Sequence, residues 1–314
     1  MLKQPRQLIG TFLVFFGLCF LLPKRTLISI WPEAASDYGA ALKQCVLNFN
    51  DGNLWGSLER LVAKCAQRHS TLTNASFFAL DMGRYGEKKY FLPPSRDIGS
   101  NCRWLTIGIG GDTLVERQMK KKFPQCAIYG IEPSIDQTEG FGEIGTVIPI
   151  AVGVEAGNLT MRLRYATPPK PGLSRYTFED VPIEPLHDVL DRFVGSRRIH
   201  FATLDIEGFE YPMVTALQTN KTFGRNHVSF CQLDVEMHSL GMVVKYRKGR
   251  KGEFQFKPFF ERFLRYSPYV PVKAVLFGRH HKVTFVNPQD EECLKYFSFD
   301  QYFPLLSIEK TSSQ

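Results

Sequence analysis

One stretch of the sequence constrains the fold more than any other, because its pattern is that of a complete βαβ unit. An apolar run over residues 104–107 stops in a glycine-rich turn over 108–112. A helical pattern follows over 114–122, and a second apolar run over 127–131 ends on Glu132. Strand, glycine turn, helix and strand in this order predict the first unit of a doubly wound α/β sheet with a nucleotide-type pocket.

The residues of this unit favour one class of ligand. Gly108, Gly110 and Gly111 have no Cβ, so the backbone can bend sharply and approach a ligand closely. Glu132, about 20 residues on, can accept hydrogen bonds from both ribose hydroxyls. No glycine stands near Leu114, where a dinucleotide fingerprint would place its third, so a cofactor with one nucleoside and no phosphates is favoured. S-adenosylmethionine fits that description, although an ordinary loop that binds nothing would show the same glycines.

Apolar runs and helical spacings predict a Rossmann-like α/β fold with a mostly parallel seven-stranded sheet and helices on both faces. Helices are expected over 33–70, 186–194, 211–217 and 256–266, and strands over 146–152, 159–165, 200–204, 228–235, 271–277 and 282–286. Residues 71–100 are expected to form a loop or a short edge strand, and 174–180 a loop. No internal repeat is present.

Polar residues follow the predicted strands at the points where the strands end. Beyond the glycine turn and Glu132, the pairs are Asp205 with Glu207 and Glu236 with His238. Ligands of open α/β sheets bind beyond the carboxyl ends of the strands. An acid placed directly after a buried run is costly unless it meets a ligand, a metal or a hydrogen bond. These side chains are therefore expected to converge on one site.

The N-terminus has the pattern of a secretory signal. Lys3 and Arg6 precede an uncharged apolar run over 8–22, which is short for a membrane span of roughly 20 residues. We interpret residues 1–32 as an uncleaved signal anchor with a short stem, which predicts a single-pass membrane protein of the ER or Golgi with a lumenal catalytic part. A cleaved signal peptide, and hence a secreted protein, is the alternative. Residues 33–98 are expected to form a helical cap and 99–314 a Rossmann-like domain.

Glycosylation sequons agree with this route. Asn74, Asn158 and Asn220 each begin an Asn-x-Ser/Thr triplet. The net charge of +8 is compatible with acidic glycans or phospholipid head groups and does not choose among partners. A basic loop over 245–251 is either a solvated loop or a clamp for an acidic acceptor.

Six cysteines remain when Cys19 in the apolar run is set aside, and an oxidising compartment would join them by one of 15 pairings. The pairing favoured by the sequence is Cys45 with Cys65. Cys126 and Cys231 fall at or within predicted buried strands, where a free thiol packs well.

Several motifs resemble those of one enzyme family. Asp205-Ile206-Glu207-Gly208-Phe209-Glu210, after an apolar strand, looks like the Asp-Val-Glu-Gly-x-Glu segment of the FkbM family of S-adenosylmethionine-dependent O-methyltransferases. Ile131-Glu132-Pro133 resembles the family's Phe-Glu-Pro, Ala151-Val152-Gly153 its Ala-Leu/Val-Gly, and Val235-Glu236-Met237-His238 its Val-Glu-x-His. The resemblance covers about residues 100–290. Where the family has an acid before its glycines, this chain has Thr106.

The resemblance implies a class I methyltransferase fold and a role for each matching residue. Gly108, Gly110 and Gly111 would pass beneath the cofactor and Glu132 would bind its ribose, with Pro133 and Ala151 completing the cofactor site. Asp205 and Glu207 would lie beside the sulfonium and the acceptor, and the family's acid at position 106 would help to hold the methionine end. An alcohol acceptor needs a proton acceptor, for which His238 and Asp205 are the candidates. His238 could instead cap a strand end, and Glu207 and Glu210 could be helix N-terminal acids.

The function predicted is S-adenosylmethionine-dependent O-methylation of a hydroxyl or carboxyl group on a small molecule, glycan or lipid. No protein-bound metal and no nucleic-acid partner are expected, and the membrane is a partner only through the anchor. A metal-dependent lumenal glycosyltransferase is one alternative, because Asp234-Val235-Glu236 or Asp205-Ile206-Glu207 could serve as its acid pair. A methyltransferase-like module without activity is the other, because Thr106 replaces the usual acid.

Overall fold

The computed structural model describes residues 38–304, except 51, 84–85, 139, 166–175 and 240–253. The predicted signal anchor and the basic loop over 245–251 lie outside the described residues. The described helices are α1 (Ala40–Leu47), α2 (Leu54–His69), α3 (Leu114–Lys122), α4 (Leu186–Val189, continued by a π-helical turn over Leu190–Val194), α5 (Glu210–Ala216), α6 (Thr222–Arg225), α7 (Phe256–Tyr266) and α8 (Glu291–Phe297). None of them is both long enough and apolar enough to cross a membrane.

Twelve strands are described, in three sheets. They are β1 (Phe78–Asp81), β2 (Lys88–Phe91), β3 (Arg103–Ile107), β4 (Ala127–Ile131), β5 (Thr146–Ile148), β6 (Ala151–Gly153), β7 (Gly157–Arg164), β8 (Tyr176–Pro185), β9 (Arg198–Leu204), β10 (Ser229–Met237), β11 (Val270–Phe277) and β12 (His280–Val286).

The central sheet has seven strands in the order β11-β12-β10-β9-β3-β4-β5. Neighbours from β5 to β10 are parallel, whereas β12 is antiparallel to both β10 and β11. The mostly parallel, seven-stranded α/β sheet predicted from the sequence is therefore confirmed. Its first five strands in chain order follow the 3-2-1-4-5 arrangement of doubly wound folds. Successive strands are added on one side of β3 as far as β5 and then on its other side from β9 onward, so the strand order reverses between β3 and β9.

The core is continuous from the N-terminal helices to the central sheet. Leu58 and Val62 of α2 belong to the same buried cluster as Leu233 of β10. The hairpin of β1 and β2 covers one face of the sheet, where the ring of Phe91 lies 5.2 Å from that of Trp104 and 5.7 Å from that of Phe201. Through these aromatic contacts the region expected to form the cap, 33–98, packs directly against the domain expected over 99–314.

Two expectations about strands were wrong. The strand expected over 146–152 is two strands in different sheets, because Pro149 has no N–H to continue the ladder and Ile150 N donates to Ile148 O at 2.9 Å instead. The loop expected over 174–180 is, from Tyr176 onward, the start of β8. That strand pairs antiparallel with β7 along its first eight residues and parallel with β6, so its partners lie outside the local sequence.

Three disulfides join the six cysteines, as Cys45–Cys65, Cys102–Cys126 and Cys231–Cys293. The first pairing was predicted. The interpretation of Cys126 and Cys231 as free buried thiols was wrong, because in each case the fold brings a second cysteine beside the strand. A disulfide network of this kind is typical of an oxidising compartment.

Candidate functional site

A cavity lies at the carboxyl ends of β3, β4, β9 and β10, beside the point between β3 and β9 where the strand order reverses. Nearly all the residues predicted for the site line it: Gly108, Gly110, Glu132, Pro133, Ala151, Asp205, Glu207 and His238. Gly111 is the exception, since it lies behind the turn with its N–H on Gln137 O at 2.9 Å. The structure thus brings together the strand ends that the sequence suggested would converge.

Gly108 is required where the chain passes between two neighbouring strands. Its N–H donates to Ile131 O at 2.9 Å, while Asp205 N donates to Ile107 O at 3.0 Å. The φ of Gly108 is +91°, and a Cβ at this position would overlap the backbone oxygen of Asp205. The turn can therefore approach the backbone of Asp205 this closely only because position 108 is glycine.

Glu132 ties the glycine turn to the end of β4. Its Oε2 accepts from Gly110 N at 3.2 Å and its Oε1 from Ser134 N at 3.0 Å. Burial raises the pKa of this carboxyl, an effect that these backbone amides oppose. Each carboxylate oxygen has a second lone pair, so the ribose contact expected of Glu132 is compatible with these bonds and stays a prediction.

Glu210, at the start of α5, holds His238 in a fixed orientation. The acid is completely buried, and its Oε1 accepts from Ile206 N at 2.8 Å, Gly208 N at 3.1 Å and His238 Nδ1 at 2.9 Å. The opposite ring nitrogen, Nε2, then faces Asp205 Oδ1 at 3.9 Å and Glu207 Oε2 at 3.8 Å. Glu210 is therefore a positioning residue for His238, a role that the helix N-terminal interpretation did not include.

The acids around His238 set its charge. Burial disfavours the imidazolium, but the negative charges of Glu210 and Asp205 outweigh it and raise the pKa of His238 to about 10. Burial, together with the charge of Glu236, raises the pKa of the Asp205 carboxyl. At neutral pH the site therefore holds the imidazolium form of His238 beside the Glu210 side chain.

Glu207 has an unusual backbone for a residue with a side chain. Its φ is +56°, in the left-handed region, and Gly208 follows with a φ of +111°. A residue other than glycine costs about 1–2 kcal/mol in this conformation. Strain of this kind at the rim of a cavity is typical of functional positions, where the fold holds a side chain against its local preference.

This strain can be measured with two substitutions. We expect Glu207→Gly to have a free energy of unfolding about 1 kcal/mol higher than Glu207→Ala, because both remove the carboxylate and only glycine accepts the left-handed conformation freely. Chemical denaturation of the two variants under identical conditions makes the comparison. Equal stability of the two would show that the turn carries no strain at position 207.

A part of the site comes from the β1–β2 hairpin, for which the sequence analysis predicted no functional residue. Glu87 and Lys89 line the cavity from the strand β2 side. Lys89 lies 3.8 Å from Asp234, and Lys282 bonds Glu236 at 2.7 Å and also pairs with Glu87. Lys282, Asp234 and Lys89 are nearly inaccessible to solvent, so this hairpin closes a buried layer of alternating charges.

The cavity is acidic although the chain as a whole is basic. Of the described residues that line it, seven are acids, namely Glu87, Asp112, Glu116, Glu132, Asp205, Glu207 and Glu236, and two are basic, Lys89 and His238. Burial, which opposes ionisation, is outweighed at Glu236 by Lys282 and Lys89, so the pKa of that carboxyl is lowered. Such a lining complements a cationic ligand.

Among the described residues, two groups of side chains have the spacing of metal ligands: Glu236 with His238 and His280, and Asp205 with Glu210 and His238. In the first group Glu236 already pairs with Lys282, and in the second Glu210 accepts three hydrogen bonds. Because each group is explained by contacts within the protein, we assign no metal to either.

In comparisons with known proteins, neither a protein family nor a curated protein matches this chain.

Proposed function

We propose that this chain is an S-adenosylmethionine-dependent methyltransferase that acts on a hydroxyl or carboxyl group of a small molecule, glycan or lipid. The observation that carries the proposal is that Gly108, Glu132 and Asp205, from three neighbouring strand ends, line one cavity. The acidic lining suits a sulfonium, and the glycine turn at positions 108 and 110 lines the cavity beside Glu132, where a nucleoside would lie. The 3-2-1-4-5 strand order is a further support.

The residues present fit this cofactor, which supplies an electrophilic methyl group when bound. Glu132 would bind the ribose hydroxyls, and the glycine turn would lie under the nucleoside. Asp205 would lie beside the positive charge and stabilise it, because a fixed carboxylate in a closed site acts more strongly than in water. Methyl transfer is an in-line displacement, so the main work of these residues is to hold the acceptor oxygen on the line of the breaking bond.

A hydroxyl acceptor must lose a proton as its oxygen forms the new bond. His238 Nε2 is directed at the cavity by Glu210 and would receive that proton, with Asp205 as its neighbour. The imidazole can accept a proton only when neutral, and the acids around it keep it charged at pH 7. A cationic ligand entering the cavity would lower the pKa of His238 and favour the neutral base.

The rate of transfer to a hydroxyl is therefore expected to rise with pH. Below the pKa of His238, which is about 10 in the free protein, the neutral fraction grows about tenfold for each pH unit. The measurement is single-turnover transfer from pH 7 to pH 9, with His238→Gln as the control variant, whose rate should be low and depend less on pH. A flat profile in the unaltered protein would contradict the role of His238 and would point to a carboxyl acceptor.

Three disulfides and three exposed sequon asparagines support a location in the secretory pathway. All six cysteines outside the apolar N-terminal run are paired, and Asn74, Asn158 and Asn220 are solvent-exposed. We infer that the catalytic part faces the lumen, or the exterior if the N-terminal segment is removed.

The proposal is tested by incubating the full-length chain with methyl-labelled S-adenosylmethionine and glycan and lipid extracts. Label in an acceptor fraction is expected, with no need for added metal. A parallel incubation with manganese and labelled sugar nucleotides tests the glycosyltransferase alternative. Asp234 and Glu236, one acid pair proposed for that alternative, already form ion pairs with Lys89 and Lys282, which argues against a metal there. Sugar transfer in place of methyl transfer would contradict the proposal, and cofactor binding without any transfer would favour an inactive module.

A further inference from the structure

Glu116, on the cavity side of α3, is held in place by Thr106. The acid is 3% exposed, and its Oε1 accepts from Thr106 Oγ1 at 2.5 Å. Thr106 Oγ1 in turn accepts from the indole N–H of Trp104 at 2.8 Å. These two bonds hold the carboxylate through Oε1, and neither of them involves its second oxygen, Oε2.

Oε2 of Glu116 is buried and has no hydrogen-bond partner among the described residues. No described lysine, arginine or histidine forms an ion pair with it, although Glu116 lines the same cavity as the glycine turn. Burial raises the pKa of this carboxyl, which Lys89 opposes only at a distance. A buried carboxylate oxygen without a donor is costly, so a donor supplied by a ligand would remove a standing penalty.

The position of Glu116 within the site defines which part of a ligand it would meet. Glu132 ends β4 and Asp205 follows β9, and β3, which carries Thr106, lies between these two strands. A nucleoside at Glu132 and a reacting sulfonium at Asp205 leave the aminoacyl branch of the ligand without a partner in the site described so far. An ammonium group is a compact cation with three donors, which suits a single buried carboxylate oxygen.

We propose that Glu116 is the binding residue for a primary ammonium group, that of the aminoacyl end of the cofactor. The inference rests on the proposed function and deepens it. Thr106, at the end of β3, acts as the positioning residue, because its hydroxyl directs the Glu116 carboxylate into the cavity. Position 106 of β3 has no acid, and Glu116 of the neighbouring helix α3 supplies a carboxylate in its place.

The test is equilibrium binding of two probes to the full-length protein. One is S-adenosylhomocysteine, and the other is its deaminated analogue, which differs only in lacking the amino group. The unaltered protein is expected to bind the first at least about tenfold more tightly, as a hydrogen bond to a charged group would give. In Glu116→Gln this preference should fall to less than about threefold, while the affinity for the deaminated analogue stays the same.

Two further variants separate binding from folding. Adding Thr106→Asp to Glu116→Gln moves the carboxylate to the strand and should restore much of the preference, which a merely structural role of Glu116 would not do. Should Glu116→Gln fail to fold, Glu116→Asp keeps the charge on a shorter side chain and should weaken only the amino-containing probe. Glu143→Gln, in which the altered acid is exposed and outside the cavity lining, is the matched control and should bind both probes normally.

The outcomes distinguish the inference from the function on which it rests. Probes that bind equally well, or a preference that survives Glu116→Gln, would overturn the ammonium assignment and leave the methyltransferase proposal standing. Failure of the unaltered protein to bind either probe would overturn both.

Discussion

Asp205→Ala is expected to reduce methyl transfer by about a thousandfold, within the 10²–10⁴ range of a lost acid–base or charge-stabilising group. The carboxyl of Asp205 faces the cavity and lies 3.9 Å from His238 Nε2, so its removal takes away both a negative charge at the sulfonium and a partner of the proton acceptor. Labelled methyl transfer under single-turnover conditions measures the loss.

The fold is expected to survive this substitution. The pKa of Asp205 is raised in the folded protein, so the folded state binds its proton more tightly than the unfolded state does. Ionisation of the group therefore costs stability as the pH rises above its ordinary range, and the variant should unfold at the same temperature as the unaltered protein or a higher one. Asp205→Asn, which keeps the side-chain size, is the matched control. Full activity in either variant would remove Asp205 from the mechanism.

Lys282→Met is expected to lower the free energy of unfolding by about 3–5 kcal/mol, the cost of breaking a buried ion pair from one side. Lys282 is 3% exposed and pairs with both Glu236 and Glu87, and these charges raise its pKa despite burial. Without the lysine, two buried acids next to Asp234 lose their principal cation. Chemical denaturation with a two-state analysis gives the change.

Arg117→Met provides the comparison for this prediction. Arg117 bonds Glu143 at 2.6 Å, but both side chains are largely exposed, at 44% and 69%. An exposed pair contributes about 0–1 kcal/mol. A Lys282→Met effect no larger than that of Arg117→Met would show that the charged layer under the β1–β2 hairpin does not stabilise the fold.

The central sheet was predictable because its signals are local. The run before Gly108, the helix over 114–122 and the acid at Glu132 each follow from neighbouring residues, and the parallel order follows from the rules for βαβ units. The strand β8 was not predicted, because pairing partners decide strands more than propensity does. The break at Pro149 has a local cause, the missing N–H, which the expected strand over 146–152 overlooked. The Cys231–Cys293 disulfide, whose cysteines are 62 residues apart, depended in the same way on a contact distant in sequence.

The site residues that follow strand ends were predictable from the sequence. Those that reach the cavity from the helix α3 or from the β1–β2 hairpin were not. Asp205, Glu207 and His238 follow apolar runs, and a common sheet edge brings them together. Glu116 is an acid near the start of a polar helix, a pattern typical of a solvated face. Lys89 reaches the cavity from a hairpin more than a hundred residues before Asp234, its partner. Such contacts are visible only when the tertiary fold is known.

The central claim is that one acidic cavity, bounded by Gly108, Glu132 and Asp205, binds S-adenosylmethionine. Calorimetric titration of the full-length protein with this cofactor, in the presence of a metal chelator, tests it most directly. We expect saturable binding at one site per chain, displaced by S-adenosylhomocysteine. Absence of any binding under these conditions would contradict the account.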